Sequence, residues 1–295
     1  MNSKSIIFRA LEYYGTRLEH RGNERVLNWL RRITGADIDE ELTVRRGRWL
    51  WALNPSDFVH QDVFWHGTKD TWDVWHVLRI LEQGAVIVDV GSNFGYYAIY
   101  LGGELGGGTR VLAFEPFSKN YERLQRNIHL NDLHETVTAF PLALSDQDDK
   151  ARIQVRARNN SGSARIIKNG GEGEAIETAK LDNIWASAME KDASCSLIKI
   201  DVEGHEISVL RGAIRLLKEH RPCILIEIDP PRLAEAGSSV EEVQDFLDQL
   251  GYLYFRTLRE RLVKTNPSME SDLVNLICLH RNRHRREIEF WSDNA

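Results

Sequence analysis

The sequence predicts an α/β fold in which helices cover both faces of a mostly parallel sheet. Between residues 71 and 284, apolar runs of strand length alternate with segments of helical periodicity. The central runs are almost wholly apolar, as is typical of strands that are buried on both faces. The chain has 295 residues, of which 42% are apolar and 28% are charged, so it can form a sizeable core.

Residues 1–70 come before this alternation and are expected to form a helical and aromatic extension. Its first apolar residues fall at helical spacing: Ile6, Ile7, Ala10 and Leu11. Residues 23–33 carry a second helical stripe, so residues 1–45 are expected to be helical. Residues 46–70 are rich in tryptophan, aspartate and histidine, and they predict short strands and loops.

The alternation defines one predicted domain at residues 71–284, which a tail of residues 285–295 follows. The predicted helices are 71–82, 94–104, 118–131, 205–220 and 239–250. The predicted strands are 85–90, 110–116, 136–144, 151–157, 195–204, 222–230, 251–257 and 273–280. The close spacing of the last two strands permits an antiparallel end to the sheet. Residues 158–175 are rich in glycine and asparagine and predict a long loop, a candidate lid.

Charge, hydropathy and cysteine spacing argue against several classes of protein. The formal net charge of −6 argues against a nucleic-acid-binding protein, which usually has a basic face. No apolar stretch reaches the roughly 18–20 residues of a membrane span, and the N-terminus lacks the apolar core of a signal peptide. The three cysteines, Cys195, Cys223 and Cys278, are far apart and have no metal-binding spacing. We therefore expect a reduced, cytoplasmic protein without a membrane span, and the oligomeric state stays open.

The stretch "VIVDVGSNFGYY" at 86–97 predicts a nucleotide-type site where a strand ends. Glycines in such a turn let the backbone approach a ligand, and the following helix offers unpaired N–H groups. The pattern starts with Asp89, whereas a dinucleotide fingerprint starts with glycine. A carboxylate there would repel a pyrophosphate but suits S-adenosylmethionine, which carries an ammonium and a sulfonium. Glu115, at the end of the next strand, suits the ribose of either cofactor, so a nicotinamide-dependent oxidoreductase is the alternative.

The stretch "IKIDVEGHE" at 198–206 places Lys199, Asp201 and Glu203 on one face of a strand. Three charged groups at the end of an apolar strand indicate either a reactive site or a salt-bridge cluster that closes the sheet. Glu206 falls in the first turn of the next helix, where an acid complements the helix dipole.

Several of these pieces together resemble the FkbM-type S-adenosylmethionine-dependent methyltransferases, a Rossmann-like class I family. They are "VIVDVGSNFGYYAIYL", "VLAFEP", "LQRNIHLN", "LALSD" and "LIKIDVEGHEISVLRGA", and the resemblance covers roughly residues 50–230. It implies a seven-stranded sheet whose last strand is antiparallel. It also implies methyl transfer to a hydroxyl of a small molecule, sugar or secondary metabolite.

The resemblance implies a set of cofactor-binding residues: Asp89, Gly91, Asn93 and Gly95 at the methionine end, Glu115 at the ribose, and Leu144 and Ser145 beside the adenine. A capped turn is an equal explanation for Ser145, because serine favours turns. The extension of residues 1–70 is expected to cover the acceptor site. A non-catalytic scaffold that only binds the cofactor is a further alternative.

Methyl transfer to oxygen needs an aligned nucleophile and a group that accepts one proton. Asp201 and Glu203 are the candidates for acceptor binding or for the base, and His205 is a third candidate because its charge changes near neutral pH. His60 and His66 are weaker candidates. A divalent metal could use Asp201, Glu203, His205 and Glu227, but their spacing is not that of a dedicated site, so no metal is expected.

Overall fold

A computed structural model describes residues 10–11, 13–15, 25–26, 29–30, 39–157, 159–167 and 172–293. Most of the helices predicted for residues 1–33 lie outside these described residues. The chain divides into two compact units, of which the smaller contains residues 1–70 and 157–162 and the larger contains residues 71–156 and 163–295.

The strands of the described residues are numbered in chain order. They are β1 (Leu42–Arg46), β2 (Trp49–Leu53), β3 (Val86–Val90), β4 (Arg110–Phe114), β5 (Val137–Phe140), β6 (Leu142–Leu144), β7 (Asp149–Ala157), β8 (Asn160–Ile167), β9 (Glu174–Ala179), β10 (Cys195–Ile200), β11 (Cys223–Ile228), β12 (Tyr252–Leu258), β13 (Arg261–Thr265) and β14 (Val274–His280). The helices are α1 (Phe58–Gln61), α2 (Thr71–Ile80), α3 (Tyr96–Leu105), α4 (Ser118–Leu130), α5 (Leu181–Ala188), α6 (Glu206–Gly212), α7 (Ile214–His220), α8 (Pro230–Ala236), α9 (Val240–Gln249) and α10 (Arg285–Asp293).

The smaller unit contains an antiparallel hairpin of β1 and β2. Residues 42–46 therefore form a strand, and the expectation that the helical segment reaches residue 45 is wrong, because burial alternates along "LTVRR" with the period of a strand. After α1 the chain continues as a π-helical turn at Asp62–His66. The buried Arg46 guanidinium donates hydrogen bonds to the carbonyls of Val63 and Phe64, so the polar backbone of that turn is satisfied.

In the described part of the chain, the main sheet of the larger unit has eight strands in the order β13-β12-β14-β11-β10-β3-β4-β5. Pairing is parallel from β11 to β5, and β14 lies antiparallel between β11 and β12. The prediction of an antiparallel last strand is thus confirmed. The predicted count of seven is one short, because β13 adds an edge strand whose sequence, "RLVKT", is too polar to stand out as an apolar run.

A second sheet, as far as its residues are described, has four strands in the order β6-β9-β7-β8. The prediction of a continuous loop at 158–175 is wrong, because β8 and the start of β9 lie within it. The buried positions of β8 include Ser161 and Ser163, so the alternation of a strand is present in burial but not in hydropathy. Residues 158 and 168–171 lie outside the described part of the chain.

The core of the larger unit lies around the parallel strands. Every residue of β3 is buried, so both faces of that strand are covered. Residues 285–293, expected as part of a tail, form α10, and Trp291 packs edge-on against His76 with the two rings 4.8 Å apart. Among the described residues, no helix is long and apolar enough to cross a membrane.

Candidate functional site

The turn after β3 is built from residues in left-handed backbone conformations. The φ angles are +76° at Gly91, +50° at Asn93 and +91° at Gly95. A Cβ atom on Gly91 would lie 1.9 Å from the carbonyl oxygen of Asp201, and one on Gly95 would lie 2.5 Å from Leu124 Cδ1. The approach of the Asp201 carbonyl therefore requires glycine at position 91, in addition to any approach of a ligand, whereas at position 95 it is the left-handed φ that favours glycine.

Asp89 is a buried carboxylate with unused hydrogen-bonding capacity. Its residue is 1% exposed, and within the described chain neither of its oxygens has a hydrogen-bond partner. Burial raises the pKa of Asp89, and the nearby Lys199 ammonium opposes that rise. A buried carboxylate of this kind favours a cationic partner.

Lys199 joins the ends of β3 and β10. Its Nζ lies 3.6 Å from Asp89 Oδ1 and 3.4 Å from Asp201 Oδ2, and it donates a hydrogen bond of 3.1 Å to the carbonyl of Gly91. Burial on its own lowers the pKa of Lys199, but Asp201, Asp89 and Glu227 together raise it above its ordinary value. Lys199 is therefore a buried cation shared by two carboxylates.

Glu115 links the end of β4 to the turn after β3. Its Oε2 accepts the Asn93 N–H at 2.8 Å, and its Oε1 accepts the Phe117 N–H at 2.9 Å. Burial raises the pKa of Glu115 to about 7, while these two backbone hydrogen bonds oppose the rise. The structure thus brings Glu115 and Asn93 into direct contact, at the same edge of the sheet as Asp89.

Leu144 ends β6 and Ser145 follows it, and Ser145 contacts one of the predicted catalytic residues. Its hydroxyl lies 3.0 Å from His205 Nε2 and donates to Asp146 Oδ1 at 3.2 Å. A Cβ atom on Gly212 would lie 1.9 Å from the Ser145 carbonyl, so α6 packs tightly under this turn. His205 therefore connects the start of α6 to the turn that was predicted to flank adenine.

Glu203 lies in a different cluster from Asp201. It forms an ion pair with Arg232, which also pairs with Asp229 at 2.8 Å. Of the three predicted catalytic residues, only Asp201 shares an ion-pair cluster with Asp89.

In the smaller unit, His60 is buried and its Nδ1 accepts the Asn54 N–H, an arrangement that serves packing, while His66 ends the π-helical turn.

Asn275 and Asp73, two polar residues that sequence reasoning missed, are linked to Glu227 by strand register and a hydrogen bond. Glu227, considered before only as a metal ligand, pairs in register with Asn275 on β14. The Asn275 amide donates a hydrogen bond of 2.9 Å to Asp73 on α2. The polar Asn275 within the apolar run "LVNLICLH" was the available signal. Within the described residues, no group of three or more histidine, cysteine or acidic residues is arranged to hold a metal ion.

Comparison with known proteins assigns the family. Residues 89–254, more than half of the chain, match the Methyltransferase FkbM domain. The chain belongs to the FkbM methyltransferase family. Membership confirms the predicted family and enzyme class, and with them S-adenosylmethionine as the methyl donor. The matched segment begins at Asp89 and includes Glu115 and Asp201.

The relatives of this FkbM family member are distant. Methyltransferase sdnD from Sordaria araneosa is 27% identical over 188 residues, which cover 53% of this chain and 68% of that protein. Hexuronic acid methyltransferase AglP from Haloferax volcanii is 28% identical over 177 residues, which cover 59% of this chain and 67% of that protein. The crystal structure of Methyltransferase FkbM from Methylobacillus flagellatus KT has 18% identity and a TM-score of 0.43. That alignment covers 93% of this chain but only 58% of the crystallised chain.

Proposed function

We propose that this chain transfers a methyl group from S-adenosylmethionine to a hydroxyl of a small molecule or sugar. The observation that carries the proposal is the cluster of Asp89, Lys199 and Asp201 at the carboxyl ends of β3 and β10. In open parallel sheets, ligands bind at this edge, where the strand order reverses. Here the order reverses between β3 and β10.

The residues at this edge fit the cofactor. Asp89 offers two buried oxygens without hydrogen-bond partners in the described chain, which suits an ammonium group. Glu115 is held by two backbone N–H groups and keeps further lone pairs for ribose hydroxyls. Leu144 and Ser145 would flank the adenine, and the Ser145 contact with His205 would hold that turn in place.

Asp201 is the best candidate for the residue that binds the acceptor hydroxyl and takes its proton. Bound S-adenosylmethionine supplies an electrophilic methyl group on sulfur. Asp201 and Asp89 both face the Lys199 ammonium. Because 26% of the Asp201 side chain is exposed, an acceptor can reach it from solvent. Asp201 would accept the proton on a carboxylate oxygen as the acceptor oxygen gains the methyl group. The ion pair of Glu203 with Arg232 would stabilise the conformation of the loop between β10 and α6.

The acceptor would extend from Asp201 along Glu227, Asn275 and Asp73. These side chains accept or donate hydrogen bonds, as the recognition of hydroxyl groups requires. The hexuronic acid named for the relative AglP supports a sugar acceptor. The expected cover formed by residues 1–70 stays a prediction.

A transfer assay tests this proposal. Labelled S-adenosylmethionine is supplied with a neutral hexoside, a hexuronic acid, a phenol and an amine, and the product linkage is identified by mass spectrometry. We expect an O-methyl product, and Asp201→Asn should lower turnover more than it lowers affinity for S-adenosylhomocysteine. Asp192→Asn, an exposed residue before β10, is the matched control. Exclusive methylation of the amine would refute O-methyl transfer.

A further inference from the structure

Lys199 is a buried charge, and the free energy that its burial costs needs an explanation. It stands on the central strand β10 between Ile198 and Ile200, which are almost fully buried, and its own residue is 5% exposed. An apolar side chain of similar volume at such a position is commonly as stable as a buried ion pair, or more so. Sheet stability alone therefore does not account for a lysine here.

Lys199 contacts both Asp89, the proposed ligand of the cofactor, and Asp201, the proposed ligand of the acceptor. Its Cα is the register partner of the Asp89 Cα across β10 and β3, so both side chains lie on the same face. Its Nζ reaches the Gly91 carbonyl at 3.1 Å and stands 5.2 Å from the centre of the Tyr97 ring. One ammonium thus faces Asp89 at 3.6 Å and Asp201 at 3.4 Å.

We propose that Lys199 is a positioning residue that holds Asp89 ionised for the cofactor and orients Asp201 for the acceptor. The proposal rests on the methyltransferase function described above. Among the contacts of the described residues, Lys199 is shared by two carboxylates, and such a cluster can receive the ammonium of the cofactor. Without Lys199, less positive charge would oppose the burial that raises the pKa of Asp89, and the protonated form would be favoured more than in the wild type.

Other titrating groups also respond to this ammonium. Lys199 lowers the pKa of Glu115, and Glu227 is a further acid that acts on Lys199. A change at Lys199 would therefore disfavour the ionised forms of both Asp89 and Glu115. Measurements in a Glu115→Gln background remove the second carboxyl, so that Glu115 no longer contributes to the pH dependence of binding.

The test is calorimetric titration of the full chain with S-adenosylhomocysteine at about pH 7 and about pH 8.5. We expect Lys199→Met to weaken binding at the lower pH, because without the ammonium the pKa of Asp89 rises further and its ionised fraction falls. At the higher pH the affinity of Lys199→Met should come closer to that of the wild type. The same recovery is expected when both are compared in the Glu115→Gln background. Lys199→Arg should retain most of the affinity, and the exposed Lys150→Met is the matched control.

The outcomes separate this inference from the function on which it rests. An equal loss at both pH values, or wild-type affinity in Lys199→Met, would overturn the role of Lys199 alone. Absence of binding by the wild type would overturn the proposed function and this inference with it. If Lys199→Met does not fold, NMR of labelled lysine in the wild type decides. Addition of S-adenosylhomocysteine must then shift the Lys199 signal and leave Lys150 unchanged, and an unshifted Lys199 signal would refute the proposal.

Discussion

Gly91→Ala should destabilise the chain by more than the usual cost of a left-handed alanine. Its φ of +76° costs a residue with a Cβ about 1–2 kcal/mol. The added Cβ would also lie 1.9 Å from the Asp201 carbonyl, so the ends of β3 and β10 must separate. Such overpacking adds about 1–3 kcal/mol, and the expected total is about 2–5 kcal/mol.

Gly237→Ala is the matched control for this effect. Gly237 has a similar φ of +82°, but among the described residues no atom beyond its chain neighbours lies within 4 Å of the position of its Cβ. Urea unfolding followed by circular dichroism would compare the two variants, and only Gly91→Ala should lose more than the conformational term of about 1–2 kcal/mol. Equal losses would show that the contact between the strand ends does not constrain the site.

Two further predictions concern stability. Burial lowers the pKa of His284 to about 4, so the unfolded chain binds the proton first as the pH falls. The free energy of unfolding should therefore fall by up to roughly 3 kcal/mol between about pH 6.5 and about pH 4. His284→Asn should flatten this dependence in acid titrations, whereas the exposed His134→Gln should leave it unchanged. Separately, the Asp182 carboxylate accepts the N–H groups of Arg215 and Leu216 at the start of α7, so Asp182→Ala should cost about 2 kcal/mol in a urea titration.

The central sheet could be predicted because its strands are apolar on both faces. β3, "VIVDV", and β10, "CSLIKI", stand out as mostly β-branched and aliphatic runs, each interrupted by one charged residue. β8 did not stand out, because serines occupy buried positions in it. The packing of Trp291 on His76 was also invisible, since it depends on a contact between residues at distant points of the chain.

More of the Asp89, Lys199 and Asp201 cluster could be predicted from the sequence than of the contacts of Glu203 and His205. The alternation of "IKIDVE" already placed Lys199 and Asp201 on one face, and the structure adds Asp89 to them. The partners of Glu203 and His205 could not be predicted, because Arg232 and Ser145 come from other elements. No sequence periodicity reports such tertiary contacts.

The most direct test of the central claim is a calorimetric titration with S-adenosylhomocysteine of the wild type and of Asp89→Asn. The account predicts wild-type binding on the order of micromolar and a loss of about 10–100-fold in the variant, because a charge-assisted hydrogen bond contributes about 1.5–3 kcal/mol. The exposed Asp192→Asn should bind as the wild type does, and NADH should not bind. Unchanged affinity in Asp89→Asn, or binding of NADH in place of S-adenosylhomocysteine, would contradict the assignment of the cofactor to this edge of the sheet.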